Sequence, residues 1–232
     1  MVEIMKQIDW SPFFISIKTG LLATSIAFFL GIWSAKLIMR CNRLTKAVLD
    51  GILTLPLVLP PTVAGFFLLL IFSLKRPFGN YLYTNFDIKF VQTWAGCVIA
   101  ALVIAFPLMY RNARAAFEQI DITMIYAGRT LGMSEFQIFW KVIVPMAAPG
   151  LASGTVLAFA RAVGEYGATA MLAGNILGKT RTVSVAIASE VAGGNWDTAG
   201  FWVLVIVIFS FLIVAMINWI SNLGMKQLKR WE

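Results

Sequence analysis

Histidine is absent from the 232 residues, which removes the commonest metal ligand and the side chain that most often serves as a general base. Without it no Ser–His–Asp or Cys–His relay can be assembled. Cysteine occurs twice, as Cys41 and Cys97, and that spacing supports neither a zinc site nor a disulfide framework. Charge is scarce as well: Asp, Glu, Lys and Arg make up 13% of the chain, against roughly 25% in a soluble domain. The few carboxylates are scattered, with no spacing suited to a transition metal. The chain is therefore expected to be no enzyme, and to hold no metal or other cofactor of its own.

What is present is apolar surface. Hydrophobic residues make up 59% of the sequence and the mean hydropathy is +0.82. A chain of 25.6 kDa cannot hide that much in a water-soluble core, so it is expected to dissolve mainly in lipid. Five stretches have the length a helix needs to cross a bilayer: 19–35, 51–74, 90–110, 150–172 and 198–225. The fourth carries two charges, Arg161 and Glu165. The net charge of +8 reports topology rather than nucleic-acid binding. Eleven positive side chains (Lys36, Arg40, Arg43, Lys46, Arg111, Arg114, Arg129, Lys141, Lys226, Lys229 and Arg230) fall in the loops on one side and in the tail, against six opposite. Because Lys and Arg collect in the cytoplasm, the amino terminus is placed outside and the carboxyl terminus inside. The opening MVEIMKQIDW does not read as a cleavable signal. One domain over 1–232 is expected, with no internal repeat.

One short motif points the wrong way. Ala173-Gly-Asn-Ile-Leu-Gly178-Lys179-Thr180 fits a loosened phosphate-loop pattern, but such a loop needs a buried strand before it and a helix after it. Here it follows a membrane span on the outer side, so nucleotide binding is not expected. Lys18 lies close enough to the end of the first span to snorkel outward.

The cytoplasmic stretch 111–149 is more informative. Ala127, Leu131, Glu135, Ile138 and Val142 keep a helical beat, with a break expected at Gly132 and Met133. Pattern alone leaves two readings: an amphipathic helix on the membrane surface, or a docking helix for a soluble partner. The spacing resembles the signature loop of permease subunits of bacterial ATP-binding-cassette importers: Glu-Ala-Ala, three residues, Gly, nine residues, Ile-x-Leu-Pro. Ala127, Gly132 and Pro145 match, Gly128 replaces the second Ala, Val142 and Val144 replace Ile and Leu, and Tyr126 stands where the family has Glu. Arg129 lies inside the same stretch. The resemblance implies that this loop couples the chain to an ATPase, with Gly132 permitting a sharp turn and Pro145 beginning the next helix.

The resemblance covers nearly the whole chain. Leu55-Pro-Leu-Val-Leu-Pro-Pro-Thr-Val63 and Phe159-Ala-Arg-Ala-Val-Gly-Glu-Tyr-Gly-Ala-Thr169 look like stretches of molybdate permeases, and the loop at Gly178 looks like a feature of the same group. Sulfate permeases share much of the pattern but are generally longer. The resemblance implies an all-α polytopic protein of the inner membrane with five spans and a type I importer core. It further implies a second copy of the chain, two cytoplasmic ATPase subunits holding ATP and magnesium, and an external molybdate-binding protein. Tungstate is a close alternative cargo, a sulfate- or thiosulfate-type importer permease is the alternative of the same class, and an ATP-independent anion channel or secondary carrier is the rival of another class.

Within the spans, Pro60 and Pro61 break the second one, and Thr62 can offer a hydroxyl to a freed carbonyl or to a passing oxyanion. Arg161 and Glu165, four apart, share a helix face. Two readings stay open for them: mutual neutralisation holding an interface, or positive potential for a dianion tuned by the carboxylate. Thr169 completes the candidate pathway set. Glycines 31, 65, 96, 154, 164 and 167 are expected to let helices approach closely, and Trp10, Trp94, Trp196 and Trp202 to form an interfacial belt.

Overall fold

The computed structural model describes residues 9–228, with side chains as far as residue 215. Lys6, Lys229 and Arg230, counted above for topology, lie outside the described residues, and so does the side chain of Lys226. The described residues form helices and loops only. In chain order they are α1 (Ser11–Met39), α2 (Arg43–Val58), α3 (Pro61–Phe72), α4 (Pro77–Phe86), α5 (Trp94–Glu118), α6 (Ile122–Thr130), α7 (Glu135–Val163), α8 (Gly167–Leu172), α9 (Val183–Ala192) and α10 (Trp196–Leu228).

Four of them, α1, α5, α7 and α10, are long and apolar enough to cross a membrane. With 29 residues, α1 reaches about 43 Å at 1.5 Å per residue, close to the full thickness of a bilayer with its headgroups. The expected second span is present as a bent pair with corrected bounds: α2 and α3 meet at 109° across the break expected at Pro60 and Pro61. Leu59 and Pro60 between them are extended, because the Pro61 ring disfavours helical backbone in the residue before it. The fourth span is corrected too. It begins fifteen residues earlier than expected, at Glu135, and ends at Val163. Residues 164–166 interrupt it before the short α8.

The centre of the bundle is α1 against α5, with α7 closing over both. Ala23, Ala27, Gly31 and Ala35, four residues apart, present a ridge without side-chain bulk. They meet Ala101, Ala105, Met109 and Ala113 of α5, also four apart, in one buried cluster that includes Ala158 and Ala162 of α7. Lipid tails are as apolar as leucine, so helices in a membrane gain from close backbone approach rather than from escaping water. Gly31 shows how close: a Cβ there would lie 2.9 Å from Met109 Cγ and 3.1 Å from Tyr110 N.

A second tight crossing joins α3 to α8. A Cβ on Gly65 would fall 2.6 Å from Ala168 Cα, and one on Gly167 would fall 3.0 Å from Thr62 N. These are backbone atoms and cannot turn aside. Gly65→Val is therefore expected to cost about 1–3 kcal/mol, read as a lower thermal midpoint in detergent. Gly51→Ala, on α2 with nothing within 4 Å, is expected to hold or raise that midpoint. Of the six glycines expected to let helices approach, two are exceptions: Gly164 ends α7 with the carbonyl of Ala160 in its own helix nearest, and Gly96 lies against the carbonyl of Phe90 in the loop before α5.

The aromatic belt is corrected in part. Trp10 packs edge-on against Phe201 and Trp202, and Trp94 donates its Nε1–H to Thr19. Trp202, only 3% exposed, belongs to a core cluster with Val183 and Ala186. These contacts gather the outer ends of α1, α5 and α10 at one end of the bundle. The positive loops gather at the other, where Lys36 lies 3.7 Å from the Phe139 ring centre and Lys46 pairs with Glu118 at 2.7 Å.

Candidate functional site

Two regions contain the residues singled out in the sequence. The first is the cytoplasmic turn between α6 and α7. Asp121 opens α6 by accepting the N–H of Thr123 at 2.9 Å, and that bond holds its carboxyl below the usual carboxylate range. Gly128 is buried: a Cβ there would meet Ile138 Cγ1 at 3.1 Å, so α6 lies tightly on the first turn of α7. Gly132 takes φ +74°, a left-handed conformation costly for a side chain other than Gly, Asn or Asp. The break expected at Gly132 is present.

Across that turn Arg129 Nε donates to Glu135 Oε1 at 2.8 Å, and the guanidinium lies 5.7 Å from the Tyr126 ring centre. The start of α7 is sealed by Ser134 and Gln137, which cap each other's backbone. The Ser-x-x-Gln spacing is the sequence signal of such a box. Pro145 stands in the first turn of the regular helical stretch Val144–Val163, as expected, although that stretch continues α7 without a gap. It sits inside α7 just after a wide turn, Phe139–Ile143, closed by Val144 N–H on the Phe139 carbonyl. Proline has no N–H for the carbonyl four residues back, and the wide turn absorbs the clash that a regular helix would suffer there.

The six residues of the coupling set divide by exposure. Ala127, Arg129, Gly132 and Pro145 face outward, Val142 is half-buried and Gly128 is buried. Around the outward ones lie large apolar side chains that the described residues leave uncovered: Leu131 is 80% exposed and Phe136 68%, with Tyr126 and Trp140 beside them. The helical beat read from the sequence is split by the turn, so that Ile138 is buried while Leu131 projects.

The second region is the break in the membrane. Glu165 is 2% exposed, and its two oxygens are both used. Oε2 receives Arg161 Nη1–H at 2.8 Å, and Oε1 receives the N–H of Ala168, in the first turn of α8, at 2.8 Å. An anion at the start of a helix also suits the local dipole. Gly167 then lies against Pro61 and Thr62. The structure thus brings Pro61, Thr62, Arg161 and Glu165 into one chain of contacts across the break, with Thr169 buried within α8. Pro60 and Thr62 are exposed. The ion pair is lopsided: the carboxylate is sealed, whereas 32% of the Arg161 side chain remains accessible, so the pair presents its positive member.

A third cluster escaped sequence reading. Asp50 of α2 accepts Tyr110 Oη–H and pairs with Arg114, both on α5. Arg114 also binds Glu118 at 2.9 Å, and Glu118 binds Lys46 of α2 at 2.7 Å. Since α2 buries no residue of its own, this network ties it to the bundle. Each helix shows charges four apart, but nothing in the sequence says which helices pair.

Comparison with known proteins bears on the family and the fold. The family described as binding-protein-dependent transport system inner membrane component matches residues 27–224. The molybdenum transport system permease protein ModB of Escherichia coli K12 is 37% identical over 224 residues, covering 96% of this chain and 97% of that protein. The sulfate transport system permease protein CysT of Salmonella typhimurium is 32% identical over 209 residues, covering 88% and 75% respectively. In fold the chain resembles a chain of the MetNI methionine ABC transporter, solved in inward-facing conformations, with a TM-score of 0.74 at 18% identity over 96% of this chain and 98% of that one.

Proposed function

The chain belongs to the binding-protein-dependent transport system inner membrane components, and on that premise we propose that it is the permease of an ATP-driven importer carrying molybdate into the cytoplasm, with tungstate as its close chemical relative. The observation behind the cargo is the 37% identity to a molybdenum permease along 96% of the chain. The observation behind the machine is the cytoplasmic turn. Tyr126, Leu131 and Phe136 form an apolar surface that none of the described residues covers, as a groove-seeking helix requires.

The energy comes from outside the chain. Two ATPase subunits hold ATP and magnesium and dock at Ala127–Pro145, a second copy of the chain completes the pathway, and an external binding protein delivers the anion. This chain supplies binding surface and motion, not catalysis. When the ATPases close, they displace the α6–α7 turn. Because α7 runs unbroken from Glu135 to Val163, about 43 Å at 1.5 Å per residue, it carries that displacement along its length. Arg161 lies at its far end, and Glu165 beyond it grips both Arg161 and α8. Movement therefore reaches α8 and the Pro60–Thr62 break packed on it. Sealing Glu165 while leaving Arg161 accessible gives a dianion positive potential without the trap of a bare charge.

Uptake of labelled molybdate at nanomolar concentration tests the reading, in cells lacking the gene and in cells with it restored. Uptake should return with the gene, fall with tungstate and ignore excess sulfate. Uptake abolished by modest sulfate would transfer the cargo to sulfate, and uptake untouched by the gene would remove the molybdate assignment.

A further inference from the structure

The loop that imitates a phosphate-binding motif has a place in the fold that transport does not explain. Gly178 and Lys179 border a cavity of about 520 Å³ whose other walls are Phe14, Ile15 and Lys18 of α1 and the Gln92–Trp94 entry into α5. Gly178 takes φ +68°, which turns the chain sharply just before Lys179. On the opposite wall Lys18 holds its ammonium 4.2 Å from the Trp94 ring centre, and the Trp94 Nε1–H is fixed by Thr19 at 2.9 Å. Two lysines from segments far apart in sequence thus border one cavity. Among the described residues neither forms an ion pair.

Depth identifies the occupant. Lys18 lies seven residues into α1, about 10 Å from its outer end, near the boundary between headgroups and hydrocarbon. The wall is divided in the same sense. Phe14, 67% exposed, and Ile15 are apolar and belong beside acyl chains, whereas Lys18, Lys179, Gln92 and Thr93 are polar. A free oxyanion would leave the apolar half of this cavity unused. An anionic glycerophospholipid satisfies both halves, its phosphate between the lysines and an acyl chain along Phe14.

We propose that Lys18 and Lys179, with Trp94 between α1 and α5, form a site for an anionic phospholipid headgroup in the outer leaflet. The site clamps the 173–182 loop to the outer ends of α1 and α5. It does not depend on which oxyanion is carried.

The test uses the full chain in mixed phosphatidylglycerol and phosphatidylcholine nanodiscs, re-extracted in mild detergent, with bound lipid counted by native mass spectrometry. The wild type should retain phosphatidylglycerol in preference to phosphatidylcholine. Each lysine is expected to contribute about fivefold to that retention, so Lys18→Gln with Lys179→Gln should lower it about twenty-five-fold. Lys179→Gln alone changes only an exposed loop side chain and should lower it about fivefold, which guards against misfolding of the double variant. Inorganic phosphate and molybdate should not displace the lipid. Equal retention by wild type and variants, or displacement by inorganic phosphate, would overturn the proposal.

Discussion

Gly132→Asp is expected to lower ATP-driven uptake at least tenfold while leaving the chain inserted at its normal level in the membrane. Two effects combine. A side chain at φ +74° costs about 1–2 kcal/mol for a typical residue, although Asp tolerates this region better than most. The larger effect is placement: nothing lies within 4 Å of a Cβ at Gly132, so the new carboxylate projects into the space where the apolar surface around Leu131 and Phe136 must be covered. A charge buried there without a partner is far costlier than the strain. Gly132→Ala separates the two effects, since it adds strain without charge and should lower uptake only a few-fold. Membrane level by immunoblot, ATPase stimulation and uptake should be measured together. If the Asp variant stimulates ATPase and imports normally, the turn is not the coupling surface.

Removing the buried carboxylate should have the largest effect on stability. Glu165→Ala leaves Arg161 without its counter-ion and the Ala168 N–H without its acceptor. Breaking a buried pair from one side costs about 3–5 kcal/mol. Arg161 is a third exposed, so the lower figure applies. At about 2–4 °C per kcal/mol for a chain of this size, the thermal midpoint in detergent should fall by about 6–12 °C. Glu165→Gln keeps an acceptor for Ala168 and should fall less. The double variant Arg161→Leu with Glu165→Gln removes the stranded charge and should recover most of the midpoint, while uptake stays at least tenfold low for want of positive potential. Uptake that recovers along with the midpoint would make the pair purely structural, which is the other reading the sequence left open.

Burial decides which half of the coupling pattern is surface. Ala127 and Gly128 are neighbours in a motif that treats them alike, yet one faces outward and the other lies under Ile138. A repeat of three and four residues cannot separate them, because the turn at Gly132 changes the direction of the chain midway through it. The same holds for the second span. Its prolines were legible as a break, but the 109° bend depends on α8 filling the angle, with Gly65 and Gly167 making room.

What the sequence by itself determined is what local chemistry controls. An excess of apolar residues with few charges requires a bilayer, Lys and Arg bias sets orientation, prolines interrupt helices, and a glycine marks the turn that only glycine makes freely. Tertiary structure decided everything that depends on partners distant in the chain. It joined Asp50 to Arg114 and Lys46 to Glu118, and it sealed Glu165 with one oxygen on Arg161 and the other on α8. It joined the stretch after the Gly132 turn, from Glu135, and the fourth span into the single helix α7. The physical reason is common to all three: a side chain's sequence neighbours fix its helix face, but the packing of separate helices fixes which faces meet.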